Sequence, residues 1–199
     1  MTEGAGGAAA DEAILVARAQ RGDRDAFSEL LARHAPAVLT VAWRIMGDRA
    51  LAEDIAQDTF MAAFRSLPRF RAEARFSTWV YRIAVNRCRD VLRSRAADPV
   101  AAAGLVADDG PGVIQPAGES PMHRTPEQQL LDKQRDVHVA EALGRLAPLY
   151  REAFVLKHVE GLSYDEMSEV LGVDASTLRM RVYKARQELS RELAGFALR

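Results

Sequence analysis

The chain has 199 residues, 48% hydrophobic and 28% charged, which is enough apolar material for a core and too much for wholesale disorder. Its formal net charge of −1 argues against a general polyanion binder, but the charge is unevenly spread: residues 14–97 carry 15 Arg against 9 acids, and residues 98–127 one Arg against 5. A basic block followed by an acidic connector points to a polyanionic partner. The single cysteine, Cys88, excludes an intramolecular disulfide and a cysteine metal site, and reads as a small buried hydrophobe. The four histidines have no ligand spacing, and there is no nucleophile with a base and no phosphate-cradling glycine loop. No enzyme, metal or cofactor is expected. The N-terminus lacks the basic start and apolar run of a signal peptide, and no stretch approaches a membrane span. The expectation is a soluble, cytoplasmic chain with no membrane insertion.

Residues 1–11 are Gly/Ala-rich and read as a disordered tail, with a first helix from Glu12 to Gln20. Asp23 caps a second helix to about Met46, and Pro36 inside it predicts a kink or break near Ala35. Gly47-Asp48 repeats the stop-and-cap device for a third helix from Arg49 to about Ser66. Its Ala52, Ile55, Ala56, Phe60, Ala63, Phe64 and Leu67 fall on a core-facing stripe. Asp54, Gln57, Asp58 and Met61 share the opposite side. That face suits a protein partner or a plain solvated surface equally well.

After a loop at 67–74 comes Arg75 to Arg95, with six arginines against one acid and with Phe76, Trp79 and Tyr81 at its start. Ser77 is a suitable N-cap for this helix, and Val80, Ile83, Ala84, Cys88, Val91 and Leu92 form its buried stripe. Arginines hold phosphates, and aromatic rings stack on unpaired bases for roughly 1–3 kcal/mol each. The mixture suits single-stranded or locally opened nucleic acid better than intact duplex. Phe76 and Trp79 as core residues under solvated arginines is the competing reading.

Residues 98–124 read as an acidic Gly/Pro/Ala-rich linker without periodicity, a flexible tether. Thr125-Pro126-Glu127-Gln128 restarts structure with a capping box and Pro at the first helical position. That helix runs to Gly144, and Pro148 opens another that ends at Gly161. Ser163 to Glu166 is a second capping box, Gly172 suits a left-handed stop, and Asp174 suits the next N-cap. The helix that follows carries Leu178, Val182, Ala185 and Leu189 on one stripe, with Arg179, Arg181, Lys184 and Arg186 largely off it. Short helix, glycine turn and basic helix follow helix-turn-helix logic. The expected fold is all-α: two small helical domains, 12–97 and 125–199, joined by a flexible linker, with a C-terminal helix-turn-helix.

Taken together, these stretches resemble a bacterial RNA polymerase sigma factor of the extracytoplasmic-function group, over nearly the whole chain outside tail and linker. The segment RGDRDAFSELLARHAPAVLTVAWRIMGDRALAEDIAQDTFMAAFRSLPRF resembles the family's polymerase-clamp binding stretch. RFSTWVYRIAVNRCRDVLR resembles the stretch that reads and opens the −10 element. Residues 146–173 with the following basic helix resemble the −35-reading domain. The resemblance implies that Asp54, Gln57, Asp58 and Met61 dock on the β′ subunit of core polymerase, with the β subunit also a partner. It implies that Arg75, Phe76, Trp79, Arg82, Asn86 and Arg87 handle −10 DNA, with Asn86 and the loop from Phe70 to Phe76 reading an extruded base. Ser176, Thr177, Arg179, Arg181 and Lys184 would contact the −35 duplex. An anti-sigma partner is implied by the family alone.

One departure concerns the recognition helix, which begins Ala175-Ser176-Thr177-Leu178-Arg179-Met180-Arg181. Met180 stands where the family carries a small polar residue, so the base preference does not transfer. Two other readings stand beside this one. An operator-binding regulator would not need the basic-aromatic stretch at 75–95, and a silent adaptor would show no sequence-specific DNA binding even with polymerase present.

Overall fold

The computed structural model of the chain describes residues 3–71, 73–97 and 139–196, with side chains between Ala10 and Ala194. Every regular element among them is helical. In chain order these are α1 (Glu3–Gln20), α2 (Arg24–Met46), α3 (Arg49–Ser66), a 3-10 turn at Leu67–Arg69 and α4 (Phe76–Ala97). They continue with α5 (the helical residues 139–145), α6 (Pro148–His158), α7 (Tyr164–Leu171) and α8 (Ala175–Phe196). The linker 98–124 and the capping box at Thr125 lie outside the described residues.

The stop signals work as their chemistry requires. Asp23 accepts from the amides of Asp25 and Ala26 at 3.1 Å each, and Asp48 from that of Leu51 at 3.1 Å. Gly47 and Gly172 close α2 and α7 in the left-handed region at φ 72° and 67°, where a side chain would be strained.

Three boundaries differ from expectation. The first helix starts at Glu3, not Glu12, because alanine, which fills positions 8–10, is the best helix former and carries the helix toward the N-terminus. The chain does not break at Pro36. Pro36 and Ala32 are exposed, so water can serve the carbonyl that the ring deprives of its amide. The turns on either side are anchored by buried Leu30, Val38 and Val41. Finally, α4 begins at Phe76, so Ser77 sits inside its first turn and is not its cap.

Helices α2, α3 and α4 pack on one another, with α1 against α2. Leu30, Val38, Val41, Ile45, Val80, Ala84, Val85 and Cys88 are fully buried between them. Phe64, expected on this core stripe, is 46% exposed instead and meets Phe27 edge-on at 4.9 Å. In the C-terminal half, Met167, Val170, Leu171, Leu178 and Val182 pin α7 to α8. Burying such a side chain is worth about 1.5–3 kcal/mol. The halves do not stand apart. Helix α7 packs on α4 and α6 on α2, and one apolar cluster runs from Leu15 to Val182.

Candidate nucleic-acid and polymerase interfaces

Three surfaces carry the candidate residues. Arg75, immediately before α4, and Trp79, Arg82, Asn86 and Arg89 on it recur every three or four residues, so at 3.6 residues per turn they form one stripe along the helix. Arg75, Arg82 and Asn86 are exposed, and Trp79 and Arg87 are half-buried. Phe76 is not at the surface. It is 2% exposed, with its ring 5.2 Å from His34, 6.0 Å from Phe70 and 5.6 Å from Trp79. Phe76 therefore backs Trp79 and offers no face to a base. It precedes the buried Val80 by one helical turn, which turns its side chain inward.

The loop before α4 is pinned from a distance. The side-chain amide of Gln20, at the end of α1, donates to the carbonyls of Phe70 at 2.7 Å and Leu67 at 3.1 Å. This holds Phe70 against Trp79, with ring centroids 4.8 Å apart. No local signal in the sequence marks Gln20 for this task. Beside Trp79 lies a cavity of about 310 Å³ walled by Glu73, Ala74, Thr78, Arg82 and Glu169. The Thr78 hydroxyl is buried with no hydrogen-bond partner, a polar atom that a bound group would satisfy.

The α7–turn–α8 unit presents the second surface. Ser163 accepts from the amide of Glu166 at 3.2 Å, and the amide of Ser163 donates to the Glu166 carboxylate at 2.8 Å, a complete capping box. The Ser163 amide and hydroxyl and the nearby Arg75 hold the Glu166 carboxyl below its usual value. Asp174 accepts from the Ser176 hydroxyl at 2.6 Å, the Thr177 hydroxyl at 2.7 Å and the Thr177 amide at 2.9 Å. Those donors hold its carboxyl well below the ordinary carboxylate range. Ser176 and Thr177 thus spend their hydroxyl protons on the helix start and keep their oxygen lone pairs for a ligand.

Leu178, Val182, Ala185 and Leu189 are buried as expected. The crest opposite them is formed by Ser176, Met180, Tyr183 and Gln187, with Arg179 on one flank and Arg181 on the other. Met180 is 55% and Tyr183 58% exposed, and the Gln187 amide donates to the Tyr183 hydroxyl at 2.8 Å. Tyr183 and Gln187 were missed in sequence because the arginines drew attention to charge rather than to position on the helix. Arg179 lies over the Tyr164 ring, 5.2 Å from its centroid, and Lys184 lies 5.8 Å from that of Tyr150.

On α3, Asp54, Gln57, Asp58 and Met61 are all exposed along one face. Gln57 and Met61 border an apolar groove between α2 and α3 of about 920 Å³, floored by Phe27, Leu31, Leu39 and Phe64. Carboxylates beside exposed apolar side chains suit an amphipathic helix with a basic flank. Among the described residues no cluster of His, Cys, Asp and Glu could hold a metal, and no helix is long and apolar enough to cross a membrane.

Two family models match the chain. Residues 30–97 match the family described as Sigma-70 region 2, and residues 138–189 that described as Sigma-70, region 4. The RNA polymerase sigma-H factor of Pseudomonas aeruginosa is 31% identical over 183 residues, spanning 90% of this chain and 92% of its own. CarQ of Myxococcus xanthus is 36% identical over 179 residues, 89% of this chain and 94% of its own. Among solved structures, CnrH in complex with the cytosolic domain of CnrY superposes with a TM-score of 0.67 at 29% identity, covering 93% of this chain and 98% of that one. CnrH is a sigma factor of Cupriavidus metallidurans.

Proposed function

We propose how this chain, which belongs to the extracytoplasmic-function group of bacterial RNA polymerase sigma factors, divides promoter recognition between its halves. As a member it directs RNA polymerase to promoters and initiates transcription without being an enzyme. We assign 12–97 to core binding and the −10 element, 98–124 to the connector, and 125–199 to the −35 element. Its place of work is the cytoplasm, where the polymerase is.

The α4 stripe carries the assignment. Arg75 and Arg82 on the stripe, with Arg87 about a third of a turn round the helix from it, take phosphates of the separating strand, and Trp79, backed by Phe76 and Phe70, stacks on an unpaired base. Asn86 offers a donor and an acceptor to a base edge. The cavity beside Trp79 and Thr78 is the receptacle for an extruded base. On α8, the crest and its flanks enter the major groove: Arg179, Arg181 and Lys184 meet phosphates or guanine edges, and Ser176 and Thr177 sit at the helix start. Asp54, Gln57, Asp58 and Met61, with the adjoining groove, dock on a helix of the polymerase β′ subunit, and the β subunit receives the C-terminal half. An anti-sigma protein is a further partner, as CnrY is in the CnrH complex.

The test is footprinting of the reconstituted holoenzyme on a protein-dependent promoter. Arg82→Ala with Asn86→Ala is expected to leave the closed complex and abolish permanganate-reactive thymines at the −10 element. Wild-type reactivity in that variant would refute the assignment of α4.

A further inference from the structure

The rings behind Trp79 are gripped by α1, a helix that carries none of the residues assigned to polymerase or DNA. Gln20 is its last residue. The side-chain amide nitrogen of a glutamine has two hydrogens, and here two carbonyls accept from it, that of Phe70 at 2.7 Å and that of Leu67 at 3.1 Å. The Leu67 carbonyl also takes the Phe70 amide at 3.0 Å, and Pro68 between them has no amide to add. The backbone thus closes this turn with one bond, and Gln20 adds two from 47 and 50 positions away. Among the described residues no helix resumes until Phe76, and the stretch between brings Glu73 and Ala74 to the cavity beside Trp79.

Eight residues back along α1, about 12 Å at 1.5 Å per residue, Glu12 makes a second grip. Its Oε2 lies 2.9 Å from Nε2 of His34 on α2, and the His34 ring lies 5.2 Å from that of Phe76. Phe76 and Phe70 in turn stand 5.6 and 4.8 Å from Trp79. Between the two grips, buried Leu15, Val16 and Ala19 hold α1 in the core. Each ring behind Trp79 is therefore referred back to a polar side chain of α1, Phe70 through Gln20 and Phe76 through Glu12 and His34.

We propose that Gln20 is a positioning residue for capture of the −10 base: by fixing the Phe70 carbonyl it sets the ring against which Trp79 rests. This rests on the reading of α4 as the strand-binding helix. Gln20 acts on the strand only through Phe70 and Trp79. A tryptophan already immobilised by its neighbours loses little freedom when a base stacks on it. One free to follow a loose Phe70 would lose that freedom on binding, and the strand would be held more weakly. Glutamine suits the task because it is neutral and offers paired donors, whereas a carboxylate there would turn lone pairs toward two carbonyls.

The experiment uses holoenzyme reconstituted from the full chain and core polymerase, with a fork-junction DNA carrying the −10 strand of a protein-dependent promoter as probe. Fluorescence anisotropy reads the Kd for wild type, Q20M, Q20E, W79A and R18Q. Q20M keeps the length of the side chain and Q20E its length and polarity, and neither has a donor for the carbonyls. R18Q breaks the pair at the same end of α1, Arg18 Nε to Asp23 Oδ2 at 2.9 Å, and leaves both grips in place. Every variant is also measured on probes in which the −10 bases are replaced, one at a time, by an abasic residue.

Q20M and Q20E are expected to bind the intact probe at least about fivefold more weakly than wild type, the lower end of what two neutral hydrogen bonds contribute. Core affinity should not change, and R18Q should match wild type throughout. At the abasic position where W79A no longer differs from wild type, the defect of Q20M is expected to vanish as well. Wild-type affinity in either Gln20 variant would overturn the positioning role. So would a defect that R18Q shares, that extends to core binding, or that survives where that of W79A is lost, since each marks a general loss of structure. W79A equal to wild type on the intact probe, or weaker on every abasic one, would overturn the reading of α4 and the role of Gln20 with it.

Discussion

Arg89 and Glu152, 63 positions apart in sequence, form a bidentate ion pair across the seam between α4 and α6, with the carboxylate buried and the guanidinium 30% exposed. The carboxylate raises the already high pKa of Arg89, against the cost of its partial burial. The pair therefore ties the element assigned to the −10 strand to the helix that precedes the helix-turn-helix.

Removing one partner leaves the other charge desolvated. Glu152→Ala is expected to lower stability by roughly 1–3 kcal/mol, less than a fully buried pair because Arg89 keeps some contact with water. Urea unfolding of wild type, E152A, R89A and the double variant measures this. The double variant should lose less than the sum of the singles.

The start of α8 depends on an ionised Asp174. Its carboxyl is held below the ordinary aspartate value of 3.8 by the Ser176 and Thr177 donors. The sign follows: its contribution is full above that value and is lost as pH falls through the lower folded-state value. Asn at this position caps nearly as well and does not titrate. Between about pH 6 and about pH 3, wild type should therefore lose more thermal stability than Asp174→Asn.

Asp58 is exposed on α3, so Asp58→Arg is expected to leave the far-UV circular dichroism and melting temperature unchanged and to abolish co-purification with core polymerase. Phe64→Ala, which shortens the floor of the adjoining groove, should weaken the same binding without abolishing it.

Arg179→Ala and Tyr183→Ala are expected to lower −35-dependent initiation while leaving core binding intact. A lost bidentate base contact costs about 1–3 kcal/mol, roughly 5- to 150-fold in affinity. Holoenzyme titrations on a promoter with and without its −35 element separate this from a general defect, since neither variant should matter once the element is gone.

Burial, with Glu152 nearby, pushes the Cys88 thiol up to about 12. Alkylation by iodoacetamide near neutral pH should be far slower than that of a free cysteine and should reach that rate only on unfolding.

Much of this architecture was legible in sequence because its signals are local. Asp23, Asp48, Gly47, Ser163, Glu166, Gly172 and Asp174 each fix a helix end within a few residues, and the stripe Leu178, Val182, Ala185, Leu189 fixes which side of α8 is buried. Pro36 misled because a proline in the middle of a long helix with an exposed carbonyl is tolerated. Phe64 and Phe76 exchanged roles for a tertiary reason. The neighbours available to α3 and α4 decided which ring was covered, and no periodicity reports that. The grip of Gln20 on the loop at Phe70, and the ion pairs of Arg75 and Arg89 with α7 and α6, join residues about 50 to 90 positions apart and leave no mark on local pattern.

Run-off transcription with purified bacterial core polymerase on a pool of randomised −35 and −10 elements tests the central claim most directly. Transcripts that require this protein and share two spaced motifs are the result expected, with R82A/N86A degrading the −10 motif and R179A the −35 motif. Tight duplex binding by the protein alone, with no protein-dependent transcript from any member of the pool, would contradict it.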